Sequence, residues 1–410
     1  MECQSLCVEV VLKFESSDKE RIKLACDSFL KSGRFNPGNI ISKLQDPFLI
    51  DNVECIIIGD HSAFNARAIN FSQVAIRWFM YVLDRNGVQV EADSDENGEA
   101  INLATVQQLP SAHYYDLWES LVYDTNVKEN LLKYAATSML YADKGVNCNI
   151  ISCNKVILLH GPPGTGKTSL CKALAHKLSI RLNKRFKRGV LMEINSHSLF
   201  SKWFSESGKL VTKMFARIIE LLHDPSIIIF VLVDEIESLT HAREKSMSGV
   251  DPSDSIRVVN AVLTQLDQIR KHSNVLILTT SNMTAAIDCA FVDRADVKLF
   301  IGLPGAEAIY KIYHSCIEEL FNAHIIVPRV LLPDSYQQAD QVRDLIQYAD
   351  ANTLINISEI SVGLSGRALR KVPFLAHALY IDEDTVNIQS FFNAMISAIK
   401  HLEDDKKHFT

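Results

Sequence analysis

Short runs in the first part of the chain alternate between apolar and polar residues, a pattern that predicts strands. Apolar side chains occupy every second position of the first run, namely Val8, Val10, Leu12 and Phe14. Residues 18–31 follow a helical period instead, and Gly33 ends that predicted helix. Residues 53–58 and 71–83 have the pattern of further strands. Residues 1–100 therefore predict a small α+β domain.

An acidic stretch without hydrophobic periodicity, residues 91–99, follows these strands. Such a stretch is typical either of a long hairpin loop or of a linker between domains. We predict a domain boundary beside it, between residues 100 and 101. The next segment, residues 109–132, has a helical pattern.

Apolar strands alternate with amphipathic helices over residues 156–303, the pattern of a parallel sheet covered by helices on both faces. We assign residues 101–305 to this α/β domain. From residue 306 onward the pattern is helical. Helices are predicted over residues 309–321, 336–349, 366–379 and 388–402. A strand is possible over residues 325–332, although Pro328 would confine it to a sheet edge, and residues 306–410 predict a small helical lid.

A glycine-rich turn connects the strand at residues 156–160 to a helix, with the P-loop spacing Gly-x4-Gly-Lys-Thr. The glycines let successive backbone N–H groups point at phosphate oxygens, and the helix N-terminus adds positive potential. Lys167 can reach the β- and γ-phosphates, and the Thr168 hydroxyl can ligate Mg²⁺. A turn that binds nothing is the alternative, but the flanking strand and helix favour a site for ATP and ADP. The predicted nucleotide-binding residues are Gly161, Pro162, Pro163, Gly164, Thr165, Gly166, Lys167, Thr168 and Ser169.

Polar residues follow two other apolar strands. Asp234 and Glu235 come after the run at residues 227–233, where Asp234 would hold Mg²⁺ and Glu235 would act as general base toward water. Acids that merely mark a solvated strand end are the alternative. The second strand ends in Thr-Thr-Ser-Asn, and the amide of Asn282 can hydrogen-bond the γ-phosphate or the water, unless it only closes a turn. Glu237 is predicted at the surface.

The combination of a P-loop, a strand ending in Asp-Glu, a strand ending in Asn and a helical tail resembles the AAA+ ATPases over residues 109–402. The resemblance implies an α/β fold: a P-loop AAA+ parallel sheet with a helical lid, here preceded by the small α+β domain. It also implies a ring, usually a hexamer, in which a neighbouring subunit contributes an arginine finger. Arg294 occupies that place, although the family usually carries two arginines there. An ion pair with Asp293 or Asp296 is the alternative interpretation.

Residues 363–367, Gly-Leu-Ser-Gly-Arg, resemble the sensor-two position of the same family. The resemblance implies that Arg367 reaches the γ-phosphate and couples the lid angle to the nucleotide state. Arg370, one turn further along the helix, competes for that role. A solvated lid arginine is the alternative.

Residues 201–208 resemble the first pore loop of protein-remodelling AAA+ rings, which carries a basic, an aromatic and a hydrophobic residue. Lys202, Trp203 and Phe204 match that triplet, and an aromatic side chain can grip extended backbone of many sequences through apolar contact. Burial of the two aromatics in a helix is the alternative, but the flanking residues are polar. The polar residues 240–255 predict a second pore loop.

Residues 202–209, 292–296 and 363–367 together resemble the pachytene checkpoint AAA+ ATPases, and the match extends through residues 369–378. The resemblance implies a homo-hexamer that converts HORMA-domain proteins, such as meiotic-axis and spindle-checkpoint components, from a closed to an open state. A HORMA-domain adaptor would assist, and the N-terminal domain would recognise adaptor or substrate. We expect the protein in the nucleus and cytoplasm, including chromosomes and kinetochores.

Composition narrows the function classes. The chain has 410 residues, 47% of them hydrophobic, which is enough for two or three domains. A net charge of −7 provides no overall basic surface, so we expect no direct nucleic-acid partner, and the basic run at residues 181–188 is predicted to be a solvated loop. The longest apolar run is too short to span a membrane, and we expect a soluble protein. Nine scattered cysteines favour a reducing compartment and no structural zinc.

Two other functions remain open from the residues alone. A nucleic-acid motor or loader would favour a basic pore over the aromatic one. A nonenzymatic scaffold gated by nucleotide would not need the intact set of Lys167, Asp234 and Glu235. Both are less consistent with the sequence than an ATP-driven protein remodeler.

Overall fold

The computed structural model describes most of the chain, and every structural statement below refers to that part. The described residues are 5–15, 18–36, 38–59, 69–71, 74–94, 100–147, 150–195, 207–237, 254–282, 289–343, 345 and 348–409.

A four-stranded sheet forms the N-terminal region, in the order β2-β3-β1-β4. Its strands are β1 (Ser5–Leu12), β2 (Ile40–Ile41), β3 (Val53–Ile58) and β4 (Ala75–Val82). Its helices are α1 (Lys19–Ser32) and α2 (Pro47–Asn52). Strand β1 pairs antiparallel with β3 and parallel with β4. Helix α1 buries Ile22, Cys26 and Leu30 against one face of the sheet, as an apolar stripe at helical spacing requires.

The prediction of a half-buried strand at β1 is wrong. Both faces of β1 are buried, and Phe14, two residues past its end, is exposed. The physical reason is a second layer: the other face of this sheet packs Val11, Phe79 and Tyr81 against Ile180 of the helix that follows the P-loop. The N-terminal sheet therefore lies directly on the helix that follows the P-loop.

The large sheet has seven strands in the order β11-β7-β10-β9-β8-β6-β5. They are β5 (Gln89–Ser94), β6 (Ala100–Leu109), β7 (Val156–His160), β8 (Arg188–Asn195), β9 (Ile227–Asp234), β10 (Val275–Ser281) and β11 (Val297–Phe300). The five strands from β11 to β8 run parallel to their neighbours, which confirms the predicted parallel sheet. The burial of β7, β9 and β10 on both faces explains their continuous apolar sequences.

Helices cover both faces of this sheet. They are α3 (Leu117–Ser120), α4 (Val127–Asp143), α5 (Lys167–Arg181), α6 (Ser207–Leu222), α7 (Asp254–Ile269) and α8 (Cys289–Arg294), with a short 3-10 turn at Ala112–Tyr114. Helices α6 and α7 pack on one face, and α4 and α5 pack on the other. The sheet therefore separates two cores.

Strands β5 and β6 form an antiparallel hairpin that extends the large sheet beyond β8. The described part of the acidic stretch, residues 91–94, therefore lies in a strand of this hairpin, and residues 95–99 are outside the described residues. The boundary predicted between residues 100 and 101 falls within β6, a strand of the large sheet. Residues 109–132, predicted as helical, begin at the end of β6 and contain two short turns before α4.

The lid is a separate helical unit with its own core. Its helices are α9 (Ala306–Asn322), α10 (Tyr336–Gln341), α11 (Ala349–Ile360), α12 (Gly366–Tyr380) and α13 (Ile388–Phe409). The single helix predicted over residues 336–349 is wrong, because α10 ends at Gln341 and α11 begins at Ala349. The strand predicted over residues 325–332 is also wrong. A single bridge joins Ile326 to Val386, and Pro328 has no N–H to continue it.

Among the described residues, none of the helices combines the length and the apolar character of a membrane span.

A buried ionic cluster joins the N-terminal sheet to α5. The Lys177 ammonium lies 2.9 Å from Oε2 of Glu9 on β1 and 2.6 Å from Oε1 of Glu119 on α3. Arg181 lies 3.1 Å from the other Glu9 oxygen, and its guanidinium stacks over the Phe79 ring. Burial acts to lower the pKa of Lys177, but the two carboxylates outweigh burial and raise it. We call Glu9, Glu119, Lys177 and Arg181 the Lys177 cluster.

The neighbouring His176 gives the fold a dependence on pH. Its Nδ1 accepts a hydrogen bond from the Ser111 N–H, and burial, with Lys177 nearby, lowers the pKa of His176 from 6.5 to about 4. The unfolded chain therefore binds more protons between those values, so stability falls as the pH falls from 6.5 to about 4. The loss from this one group is about 3 kcal/mol.

We expect the acid side of the melting profile to flatten in His176→Gln. The measurement is the melting temperature of both proteins at a series of pH values across this window. Because Gln does not titrate, the variant should lose less stability than the unmodified chain as the pH falls. Parallel profiles would show that another group titrates in its place.

Candidate active site

The turn after β7 has a backbone that requires glycine. Gly161 has φ +142°, and a Cβ there would lie 2.2 Å from the backbone oxygen of Ile301. Gly164 has φ +76°, and a Cβ there would lie 2.8 Å from the Ser365 hydroxyl of the lid. The glycines therefore allow both the turn itself and the close approach of two other segments to it.

Lys167, the first residue of α5, lies inside this turn. Its Nζ donates to the carbonyl oxygens of Gly161 at 2.9 Å and Pro162 at 2.7 Å. Burial lowers the pKa of Lys167, while nearby carboxylates, with Glu237 the strongest of them, act to raise it. The predicted phosphate-binding ammonium is thus enclosed by the turn that the glycines shape.

The adjacent ends of α5, β9 and β10 bring three oxygen-bearing side chains together. Thr168 Oγ1 donates to Asp234 Oδ1 at 2.8 Å, and the Thr280 hydroxyl donates to the same oxygen. Hydroxyl and carboxylate oxygens are the ligands that Mg²⁺ prefers, so Thr168 and Asp234 fit the predicted metal. Thr280 was not predicted from the sequence. The sequence signal for Thr280 is the polar run Thr-Thr-Ser-Asn at the end of β10, in which the prediction assigned a role only to the final Asn.

Glu235 follows Asp234 with a left-handed backbone, φ +54°, which is uncommon for a residue other than glycine. Its N–H donates to Thr280 Oγ1 at 3.1 Å. The Asn282 side-chain amide donates to Glu235 Oε1 at 3.2 Å. The structure thus places the predicted general base and the predicted polar amide in direct contact, and contact of Asn282 with phosphate stays a prediction.

The prediction of Glu237 at the surface is wrong, because only 9% of the residue is exposed. After β9 the chain turns back, with the Ile236 N–H bound to the Thr280 carbonyl. This turn directs Glu237 into the site, where its Oε1 accepts a hydrogen bond from the Asn282 backbone N–H at 3.1 Å.

The start of α12 lies against the P-loop. The backbone N–H of Arg367 donates to the Gly164 carbonyl at 3.1 Å. The Arg367 charge acts to lower the pKa of Lys167, so both cations lie near the same turn. The Arg370 guanidinium instead donates to the Ser120 carbonyl at the end of α3. Of the two lid arginines, Arg367 is therefore the one bonded to the P-loop.

Arg294 at the end of α8 forms an ion pair within its own chain. Its Nε and Nη2 donate to the Asp267 carboxylate of α7, and Nη1 donates to the Ala290 carbonyl. The ion pair of the alternative interpretation thus exists, with Asp267 in place of Asp293 or Asp296. Asp296 accepts from the Tyr134 hydroxyl and from backbone N–H groups. A finger role needs a neighbouring subunit and stays a prediction.

A cleft beside the P-loop was not predicted from the sequence. It lies between that turn, the segment after α3 and the lid. Val122 and Tyr123 form one wall, and Ile312 and Gly366 of the lid form another. The Tyr123 hydroxyl donates to the Gly166 carbonyl at 3.4 Å. Its apolar walls suit a flat base next to the phosphate-binding turn, and the apolar run before α4 was the signal for it.

Both predicted pore loops lie outside the described residues. The triplet of Lys202, Trp203 and Phe204 precedes α6, and most of residues 240–255 precedes α7. Their positions in the pore stay predictions.

Two families match the chain. Residues 157–303 match the ATPase family associated with various cellular activities (AAA), and residues 305–403 match the TRIP13-like, AAA+ ATPase lid C-terminal domain. Together the two matches cover the parallel strands of the large sheet and most of the lid, whereas β5 and β6 precede them.

Relatives match over nearly the full length. A pachytene checkpoint protein 2 homolog of Rattus norvegicus is 50% identical over 419 residues, covering 99% of this chain and 95% of that protein. The solved structure of C. elegans PCH-2 has a TM-score of 0.80 and 36% identity, covering 98% of this chain and 100% of that one. A chain in the E. coli MS115-1 HORMA:CdnC:Trip13 complex, at 14% identity and a TM-score of 0.52, covers 71% of this chain and 94% of its own and shares the fold. This chain is an ATPase and belongs to the pachytene checkpoint protein 2 family of AAA+ proteins.

Proposed function

We propose that this ATPase works as a homo-hexamer that converts HORMA-domain proteins from a closed to an open conformation, with a HORMA-domain adaptor. Family membership supports the proposal, and a solved assembly that names a Trip13 protein together with a HORMA protein is consistent with it. The proposed setting is meiotic chromosome-axis and spindle-checkpoint regulation, in the nucleus and cytoplasm. The N-terminal domain would recognise the adaptor or the client.

The site residues divide the chemistry of hydrolysis among them. Glu235 would accept a proton from the attacking water while the water oxygen bonds to the γ-phosphorus. The bond between the γ-phosphorus and the bridging oxygen would break, and ADP would leave with that oxygen. Asn282, bonded to Glu235, would orient that carboxylate. Mg²⁺ held by Thr168 and Asp234 would supply charge neutralisation at the phosphates. ATP and ADP would occupy residues 161–169 with Lys167 at the phosphates.

One observation supports the coupling of hydrolysis to movement: helix α12 of the lid begins at the P-loop. The Arg367 N–H binds the Gly164 carbonyl, and the Ser365 hydroxyl would lie only 2.8 Å from a Cβ on Gly164. A change in the P-loop conformation between nucleotide states would therefore change the position of α12 directly. The Arg367 guanidinium would contact the γ-phosphate, which only ATP has, and Arg294 of one subunit would contact the nucleotide bound by the next subunit.

The pore triplet would pass this movement to the client. Lys202, Trp203 and Phe204 would contact an extended segment of the client in the channel, and their displacement would pull it. Small domains are stable by about 5–15 kcal/mol, so a few ATP turnovers suffice to unfold one locally. The client would then refold into its other conformation.

The test is a conformational assay of a HORMA-domain client with this protein, adaptor and ATP. Trp203→Ala is expected to keep basal hydrolysis and to block client opening, because the proposed role of the aromatic is to grip the client and not to bind the nucleotide. The readouts are phosphate release and the fraction of client in the open form. Tyr380→Ala, an exposed aromatic at the end of α12, is the matched control.

Two outcomes would overturn the proposal. Client opening by Trp203→Ala at the unmodified rate would remove this residue from the pore. ATP hydrolysis that responds to single-stranded DNA and not to the client would favour a nucleic-acid motor instead.

A further inference from the structure

We propose that Glu237 is a positioning residue for ATP hydrolysis: its carboxylate fixes the backbone of Asn282 and, through the amide of that residue, the carboxylate of Glu235. The proposal concerns hydrolysis alone and is independent of any client.

The first argument is that two carboxylates hold one asparagine. Glu237 Oε1 accepts from the Asn282 backbone N–H at 3.1 Å, and Glu235 Oε1 accepts from the Asn282 side chain at 3.2 Å. Asn282 is thus held at its backbone by Glu237, while its side-chain amide is directed at Glu235. Any shift of the Asn282 backbone would move the group that orients the general base.

The second argument is that strand pairing does not supply this bond. Strand β10 ends at Ser281, and its ladder with β7 ends at the same residue. Asn282 lies one residue beyond, where a backbone N–H needs another acceptor. Glu237 is that acceptor, and the turn after β9 places it there.

The third argument is that a contribution to folding stability does not by itself explain why position 237 has a charged side chain. Glu237 is buried, and its Oε2 has no hydrogen-bond partner among the described residues. Burial of a carboxylate with one oxygen unpaired is unfavourable, whereas a neutral side chain could accept the same backbone bond. Lys167 is a nearby cation, and the Glu237 charge acts to raise its pKa. The carboxylate thus interacts electrostatically with the phosphate-binding ammonium and directly contacts the residue that orients the base.

The experiment is steady-state ATP hydrolysis without client by Glu237→Ala, Glu237→Gln and a double-mutant cycle with Asn282→Ala. Misplacement of a catalytic group lowers kcat, so Glu237→Ala is expected to lower kcat about 10- to 100-fold, with KM within about threefold. Glu237→Gln retains an acceptor oxygen and should recover a large part of kcat. Glu220→Ala, an exposed carboxylate on α6, is the control and should leave both constants unchanged.

The double-mutant cycle separates positioning from a general effect on folding. If Glu237 acts through Asn282, Glu237→Ala should lower kcat less than about twofold further in the Asn282→Ala background. Equal losses in both backgrounds would overturn the proposal. An increase in KM with unchanged kcat would also overturn it, because it would place Glu237 in nucleotide binding. If the alanine variant does not fold, the same cycle decides with Glu237→Leu, which occupies the space of the side chain but has no acceptor oxygen.

Discussion

Glu235→Gln is expected to lower the kcat for ATP roughly 100- to 10,000-fold, the contribution of a general base. Nucleotide affinity should be retained, since Lys167 and the P-loop backbone are unchanged. The glutamine oxygen can still accept the hydrogen bond from Asn282, so the substitution removes proton acceptance and little of the local geometry. Phosphate release gives kcat, and titration with a fluorescent ATP analogue gives the affinity.

Glu220→Gln on α6 is the matched control for the same chemical change at an exposed position, and its turnover should equal that of the unmodified chain. Turnover of Glu235→Gln within threefold of normal, on the same order as the control, would mean that another group accepts the proton. Loss of ATP binding would mean that Glu235 shapes the site and that its catalytic role is not measured by this variant.

The nucleotide site could be predicted from the sequence because its geometry is local. A P-loop is built from consecutive residues, and parallel strands carry their C-terminal residues to one edge of the sheet. Lys167, Thr168, Asp234, Glu235 and Asn282 follow from those two rules. The structure brings the last four together as expected.

The errors at the site come from chain turns that a strand pattern does not contain. Glu237 was placed at the surface because an acid past a strand end is usually solvated, whereas the turn after β9 folds it inward. Thr280 was passed over because its role depends on the register of β10 against β9. The intrachain pairing of Arg294 with Asp267 requires the packing of α8 on α7.

The larger fold could be predicted from the sequence only where the hydrophobic pattern of an element reflects packing within its own domain. The parallel sheet and the lid each have an internal core, and their apolar periods show it. The burial of β1 on both faces depends on a second layer far along the chain, since Glu9 and its partner Lys177 are separated by 168 residues. Hydrophobic periodicity describes one element at a time, so it cannot reveal an ion pair between polar residues of two elements that are far apart in the chain.

Lys177→Met is expected to destabilise the folded chain by about 3–5 kcal/mol, the effect of removing one partner from a buried ion pair. Methionine is similar in length and apolar, so the loss does not come from a large cavity. It comes from Glu9 and Glu119, whose carboxylates would stay buried without their shared cation. Denaturant unfolding followed by circular dichroism measures the loss, and hydrogen exchange in β1 should accelerate because the Lys177 cluster joins that strand to α5.

Lys133→Met on α4 is the matched control, because 76% of the Lys133 side chain is exposed and its carboxylate partner Glu129 is 3.8 Å away. An exposed pair of this kind contributes about 0–1 kcal/mol, so this variant should unfold almost as the unmodified chain does. In the Glu9→Gln background Lys177→Met should lower the free energy of unfolding by less, since a neutral amide then replaces one of the two carboxylates that lose their cation. Equal unfolding of Lys177→Met and Lys133→Met would show that the Lys177 cluster does not hold the N-terminal sheet on the P-loop helix.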